Sequence, residues 1–298
     1  MTASPTASPG RPFGRVLTAM VTPFDARGAV DLDKARELAA RLVDSGSDGL
    51  VVNGTTGESP TTSDAEKADL VRAVVEAVGD RATVVAGTGT YDTAHSAHLS
   101  RQAQEAGAHG LLLVTPYYSR PTQEGLLAHF TTVADAVDLP VMLYDIPPRS
   151  VVPIEVDTLL RLAEHPRVLA VKDAKGDLLA GSKVMAATDL AYYSGDDPLN
   201  LPWLSVGAVG VVSVIAHFAG DRVRALVDAF EAGEVKRATA IHHELLALLR
   251  PFNRMPGVTY AKAALGLRGI DVGSPRLPLL PASEEDVEAI QAELGVNA

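Results

Sequence analysis

Lys172 follows the apolar stretch Val168, Leu169, Ala170, Val171, so its stem starts inside an apolar wall. A desolvated lysine sheds its proton more readily, and a neutral amine can attack a carbonyl to form a Schiff base. The plainer reading is a strand-end lysine that reaches solvent or pairs with Asp173. The other lysines, Lys34, Lys67, Lys175, Lys183, Lys236 and Lys262, fall in helical or loop stretches. Tyr144 and Tyr118 also end apolar stretches, where a phenol can relay protons or simply pack. Thr55 and Thr56 lie between Gly54 and Gly57. Hydroxyls and backbone N–H groups in such a loop can hold a carboxylate, although an ordinary turn has the same composition. The loop lacks the spacing of a nucleotide-phosphate loop. Arg149, five residues after Tyr144, could grip a carboxylate through two hydrogen bonds or sit in a surface ion pair.

Other chemistries find less support. His95 and His98 share a helix face and His242 adjoins His243, but no carboxylates gather beside either pair, so no metal and no cofactor is expected. No serine-nucleophile elbow and no dinucleotide-binding turn is present. The chain has no cysteine, which removes disulfides, thiol nucleophiles and thiolate metal sites.

The elements that must position these residues alternate. Apolar runs at 16–21, 49–52, 83–86, 110–114, 140–144, 168–171, 190–193 and 210–215 read as strands covered on both faces. Helical stretches at 31–46, 63–79, 93–107 and 122–137 lie between them, the second opening on the capping-box pair Ser63 and Glu66. Eight such units predict an α/β fold, a (β/α)8 TIM barrel, with an open doubly wound sheet as the competing arrangement. Helical stretches at 234–249, 257–267 and 283–294 predict a C-terminal helical extension. The expected organisation is a disordered tail over 1–12, a barrel over 13–233 and a helical domain over 234–298.

The 298 residues carry 37 acidic and 26 basic side chains, a formal net charge of −11. Such a surface repels phosphate backbones and anionic lipid, so no nucleic-acid or membrane partner is expected. The opening MTASPTASPG lacks the charge and apolar core of a signal peptide, and no apolar run approaches the ~20 residues of a membrane helix. The expected compartment is the cytoplasm.

Taken in order, Gly54-Thr55-Thr56-Gly57-Glu58, Thr115-Pro116-Tyr117-Tyr118-Ser119-Arg120-Pro121, Tyr144-Asp145-Ile146-Pro147, Val171-Lys172-Asp173-Ala174, Gly195-Asp196-Asp197 and Gly210-Val211-Val212-Ser213-Val214 form a set. Over about residues 14 to 295 it resembles the dihydrodipicolinate synthases, within the pyruvate-dependent class I aldolases. The resemblance implies that Lys172 forms a Schiff base with pyruvate and that Tyr144 is the general acid/base. It implies a proton relay of Tyr144, Thr55 and Tyr118, the last contributed by a neighbouring subunit. It implies that Thr56 and the backbone of Val212 bind the pyruvate end. Arg149 would bind the carboxylate of aspartate 4-semialdehyde, and the assembly would be a homotetramer of two tight dimers.

Two departures stand out. After the tyrosine the family commonly reads N-[VI]-P-S-R-T-G, where this chain has Asp145-Ile146-Pro147-Pro148-Arg149-Ser150-Val151. A valine in the usual glycine position is expected to crowd the second substrate. In lysine-sensitive relatives the effector pocket uses a histidine pair, an asparagine, a glutamate and a tyrosine. The matching positions here are Asp64, Lys67, Tyr91, His95 and Tyr117, so only the tyrosine is kept and lysine inhibition is expected to be weak or absent. A sibling aldolase for N-acetylneuraminate or keto-deoxy-sugar acids shares the lysine and the first tyrosine. It generally lacks the Tyr-Tyr-x-Arg-Pro stretch together with the later arginine. A non-catalytic barrel that binds an acidic metabolite would need a broken relay.

Overall fold

The computed structural model describes residues 5–8 and 10–295. Eight parallel strands close in chain order: β1 Val16–Ala19, β2 Gly49–Val52, β3 Thr83–Gly87, β4 Gly110–Val114, β5 Val141–Asp145, β6 Val168–Asp173, β7 Ala191–Ser194 and β8 Gly210–Ser213. Leu17 of β1 lies opposite Gly49 on one side and Val212 on the other, so the sheet has no edge. The open-sheet alternative would leave two edges and is excluded.

The strand sequences follow from burial on both faces. Leu17, Val51, Val85, Leu112 and Met142 form the barrel interior with Phe13 and Tyr193. Their neighbours Leu50, Val84, Leu111 and Val141 pack against the helices. Phe13 fills the floor of the barrel, and Gly110 leaves it room: a Cβ there would lie 2.4 Å from Phe13 Cε1. Beside it the Tyr193 hydroxyl donates to Gly14 O at 3.0 Å.

The barrel helices include α1 Leu32–Asp44, α2 Asp64–Val78, α3 Thr93–Glu105, α4 Gln123–Asp135, α5 Pro147–Ser150, α6 Val156–Leu162, α7 Leu178–Ala187, α8 Asn200–Ser205 and α9 Ala216–Glu231. Asp31, Ser63, Asp92 and Thr122 cap α1 to α4 through their side chains, and the Ser63–Glu66 capping box forms in both directions. The C-terminal helices α10 Val235–Ala247, α11 Gly257–Leu267 and α12 Glu284–Leu294 build a second apolar cluster with α9. Among the described residues no helix is long and apolar enough to cross a membrane.

Strand ends differ from the apolar runs in a way that matters for the site. β5 and β6 extend through Asp145 and Asp173, so Lys172 sits within the ladder beside Tyr144 rather than beyond it. β1 and β8 stop at Ala19 and Ser213, short of the expected residues 21 and 215. Side chains take the backbone donors there. Val21 N–H donates to His217 Nε2 at 3.0 Å, and Val214 and Ile215 N–H donate to Asp197 Oδ2 at 2.8 and 3.0 Å. Of the tail expected over 1–12, residues 1–4 and 9 lie outside the described residues. Within the rest, the Thr6 hydroxyl donates to Asp48 O at 3.0 Å and Ser8 bridges Arg11.

Candidate active site

Tyr144 and Lys172 are register partners on β5 and β6, and both side chains face the barrel interior. Lys172 Nζ stands 4.0 Å from the centroid of the Tyr144 ring. Among the described residues no carboxylate or carbonyl engages that ammonium. Its stem runs past Gly195, where a Cβ would lie 2.9 Å from Lys172 Cγ and 3.1 Å from Cε. Any side chain at 195 would displace the lysine.

Burial alone does not single Lys172 out. Lys67 and Lys262 are buried to a similar degree, and desolvation lowers the pKa of each. Both have partners, however: Lys67 Nζ donates to Thr62 O and Lys262 Nζ pairs with Glu58. Lys172 differs in facing the barrel interior beside a phenol.

A cavity of about 220 Å³ opens over the strand ends. Thr55, Tyr144 and Arg149 line it, with Asn53 and Tyr117. Lys172, Thr56 and Val212 are buried and lie outside its wall. The Thr55 loop is held in an unusual backbone path, with positive φ at Asn53 and Glu58 on either side of 54–57. The Thr22 hydroxyl donates to Gly57 O at 2.6 Å, and Asn53 Nδ2 donates to Lys67 O at 3.1 Å. Two residues from the C-terminal part complete the clamp. Lys262 Nζ lies 2.9 Å from Glu58 Oε1, and Arg276 N–H donates to Glu58 Oε2 at 2.7 Å. Neither residue carried a signal in the sequence, since each partner is far away along the chain.

Arg149 lies on α5, exposed at the cavity rim, and among the described residues it makes no ion pair. Val151 does not line the cavity and is 52% exposed, so it does not crowd the cavity as expected. The departure acts on the backbone instead. Val151 adopts φ 69° and ψ −47° after α5, a region that glycine enters freely and a β-branched residue does not. Strain of this kind costs on the order of 1–3 kcal/mol and persists only where neighbours over-determine the conformation.

Asp145 and Asp173, the next register pair along, are buried on the opposite face of the wall. Burial raises both pKa values, that of Asp173 to about 6. Lys175 Nζ pairs with Asp145 Oδ2 at 3.0 Å and offsets that rise.

Tyr118 does not join the site within one chain. It is 92% exposed at φ 70°, while its neighbour Tyr117 lines the cavity and packs edge-on against Tyr91 at 5.4 Å. His95 bonds Asp64 through Nε2 at 2.9 Å. Among the described residues no cluster of three or more histidines and carboxylates is placed to hold a metal.

The Dihydrodipicolinate synthetase family matches residues 12–296. The chain belongs to this family. It is 62% identical to 4-hydroxy-tetrahydrodipicolinate synthase 2 of Streptomyces coelicolor, over 99% of this chain and 98% of that one. It is 60% identical to 4-hydroxy-tetrahydrodipicolinate synthase of Mycolicibacterium paratuberculosis, over 95% and 94%. Among solved structures, a dihydrodipicolinate synthase of Bacillus anthracis superposes with a TM-score of 0.93 at 45% identity, covering 96% of this chain and 99% of that one. The match to the dihydrodipicolinate synthetase family spans barrel and C-terminal helices together.

Proposed function

We propose that this chain condenses pyruvate with aspartate 4-semialdehyde through a Schiff base on Lys172, giving 4-hydroxy-tetrahydrodipicolinate for lysine and diaminopimelate biosynthesis. The observation that carries the reading is the Lys172–Tyr144 pair: an amine with no ionic partner among the described residues, inside the barrel, 4.0 Å from a phenol ring. The family is one of Schiff-base-forming lyases, and the relatives' names support the acceptor.

The steps use this chain's own residues. The Lys172 amine adds to the ketone carbon of pyruvate, and water leaves to form an iminium. Tyr144 passes the protons that this addition and dehydration require, with Thr55 and a neighbouring subunit's Tyr118 completing the relay. Thr56 and the backbone at Val212 hold the pyruvate end. Loss of a methyl proton then gives an enamine, whose carbon attacks the aldehyde of the semialdehyde. The aldehyde oxygen takes a proton and becomes the hydroxyl. Arg149 fixes the acceptor's carboxylate at the cavity rim. The acceptor's amino group finally displaces Lys172 from the iminium carbon, which closes the ring and frees the enzyme. No electrons are gained or lost overall, so the balance requires no redox partner.

The exposure and positive φ of Tyr118 support its projection toward a second copy, and we read the assembly as a homotetramer of two tight dimers in the cytoplasm. The test of the function is substrate choice. Purified protein with pyruvate should turn over aspartate 4-semialdehyde and leave N-acetylneuraminate and keto-deoxy-sugar acids uncleaved. The reverse preference would assign it to the sibling aldolases.

A further inference from the structure

The segment between β5 and α6 carries Arg149 and the strained Val151, and two side chains close it at its base. Asp145, which is fully buried, accepts the Ile154 N–H through Oδ1 at 3.2 Å. Lys175 reaches the same point from the far side. Its Nζ pairs with Asp145 Oδ2 at 3.0 Å and donates to Ile154 O at 3.3 Å. Asp145 and Ile154 thus hold both ends of the Arg149 segment, and one ammonium ties both to the loop after β6. That loop is itself tied down: Lys175 N–H donates to Asp173 Oδ1 at 2.9 Å, and Ala174 N–H donates to Asp145 O at 2.9 Å. Lys172 lies three residues before Lys175, and Tyr144 lies one before Asp145. The strap therefore joins the Schiff-base strand to the acceptor-binding segment just outside the barrel wall.

We propose that Lys175 and Asp145 are positioning residues for the second substrate. Their ion pair holds the strained Arg149 segment at the height from which the guanidinium meets the acceptor's carboxylate. Neither residue touches substrate: both face the helix layer, opposite to Tyr144 and Lys172. The departures from the family pattern then read as connected. An aspartate follows the tyrosine where the family commonly has asparagine, and Lys175 supplies the cation that a buried carboxylate needs. Val151 occupies a conformation that only a well-anchored segment can impose. The inference rests on the reading of Arg149 as the acceptor's grip.

Steady-state kinetics of Lys175→Met test it. The KM for aspartate semialdehyde should rise about tenfold or more, while kcat and the KM for pyruvate stay within about threefold. Reductive trapping of pyruvate on Lys172 should be unchanged. Lys175→Arg, which keeps the cation, should restore most of the acceptor KM. Because Lys175→Met leaves a buried unpaired carboxylate and can fail to fold, the double variant Asp145→Asn with Lys175→Met is measured beside it. It strands no carboxylate at position 145 and still lacks the strap, so its acceptor KM should remain raised. An acceptor KM at the parent value in the double variant, or equal losses for both substrates, overturns the proposal. Arg149→Ala separates the two readings. If it raises the acceptor KM and Lys175→Met does not, the strap alone is refuted. If Arg149→Ala leaves that KM unchanged, the Arg149 reading fails and the proposal falls with it.

Discussion

Glu58 and Lys262 form an ion pair at 2.9 Å with side chains only 1% and 3% exposed, and this contact fastens α11 to the loop that carries Thr55 and Thr56. Glu58 Oε2 also accepts the backbone of Arg276, whose guanidinium in turn bonds Glu66, Thr61 O and Gly28 O. The C-terminal part is thus joined to the site by buried polar contacts. Removing one member of a buried pair strands the other, at a cost of roughly 3–5 kcal/mol. Lys262→Met should lower unfolding stability by about that much and raise the KM for pyruvate. Adding Glu58→Gln should recover most of the stability. Chemical denaturation of both variants checks this, and a Lys262→Met protein as stable as the parent would refute it.

The acid limb of stability should be set by two histidines. Val21 N–H donates to His217 Nε2 and His217 Nδ1 bonds Val214 O at 2.7 Å, which requires a neutral ring. Desolvation holds His217 and His129 down at about 4, against a usual 6.5. A depressed folded pKa gives stability that is present above 6.5 and is lost as pH falls toward 4. Asp173 acts in the opposite direction. Raised to about 6 from a usual 3.8, it binds a proton in the folded state first. Each of the two histidines contributes up to about 1.4 kcal/mol per pH unit between 6.5 and 4, and Asp173 offsets part of that below 6. His217→Gln should make that slope shallower. Denaturation midpoints measured from pH 6.5 to 4 decide, and a parent protein with flat stability there would contradict the assignment.

Lysine should inhibit weakly or not at all. The positions that matter come together in the fold but are taken up by their own contacts. Asp64 is bonded to His95 at 2.9 Å, Tyr91 packs on Tyr117 at 5.4 Å, and Lys67 donates to Thr62 O. A lysine ammonium entering there would have to displace His95 from Asp64, with Lys67 adding a like charge. In a titration at sub-saturating pyruvate, half-inhibition should lie above about 1 mM, which corresponds to binding weaker than about −4 kcal/mol. Sub-millimolar inhibition would show that Asp64 and its neighbours rebuild the pocket.

Tyr118→Phe should reduce turnover with little change in stability, since an exposed side chain loses only a hydroxyl. If a second copy supplies Tyr118, mixing the impaired Tyr118→Phe and inactive Lys172→Arg proteins under conditions of subunit exchange should raise activity above that of either alone. Activity of Tyr118→Phe equal to the parent would remove the residue from the relay.

Much of this fold was legible because parallel strands buried on both faces leave uninterrupted apolar runs, and because Ser63, Asp31 and Thr122 announce their helices. The ordered motifs put Lys172 and Tyr144 at strand ends and Thr55 and Arg149 in loops, and Thr55, Tyr144 and Arg149 line one cavity. The rest depended on proximity that spacing does not encode. Lys175 and Lys262 look like ordinary solvated lysines until Asp145 and Glu58 are folded against them. The cost of Val151 lies in its φ, and a residue type alone carries no dihedral angle. Thr22 and His217 bond backbone groups from distant segments, which no local pattern reveals.

The central claim is that Lys172 is the amine that captures pyruvate. Borohydride reduction of the protein with pyruvate, followed by peptide mass spectrometry, tests it most directly. A reduced pyruvyl group should appear on the peptide containing Lys172 and nowhere else, and Lys172→Arg, whose guanidinium does not deprotonate near neutrality, should take up none. A folded protein that traps no pyruvate, or that carries the adduct on Lys67, Lys175 or Lys262 instead, would contradict the account.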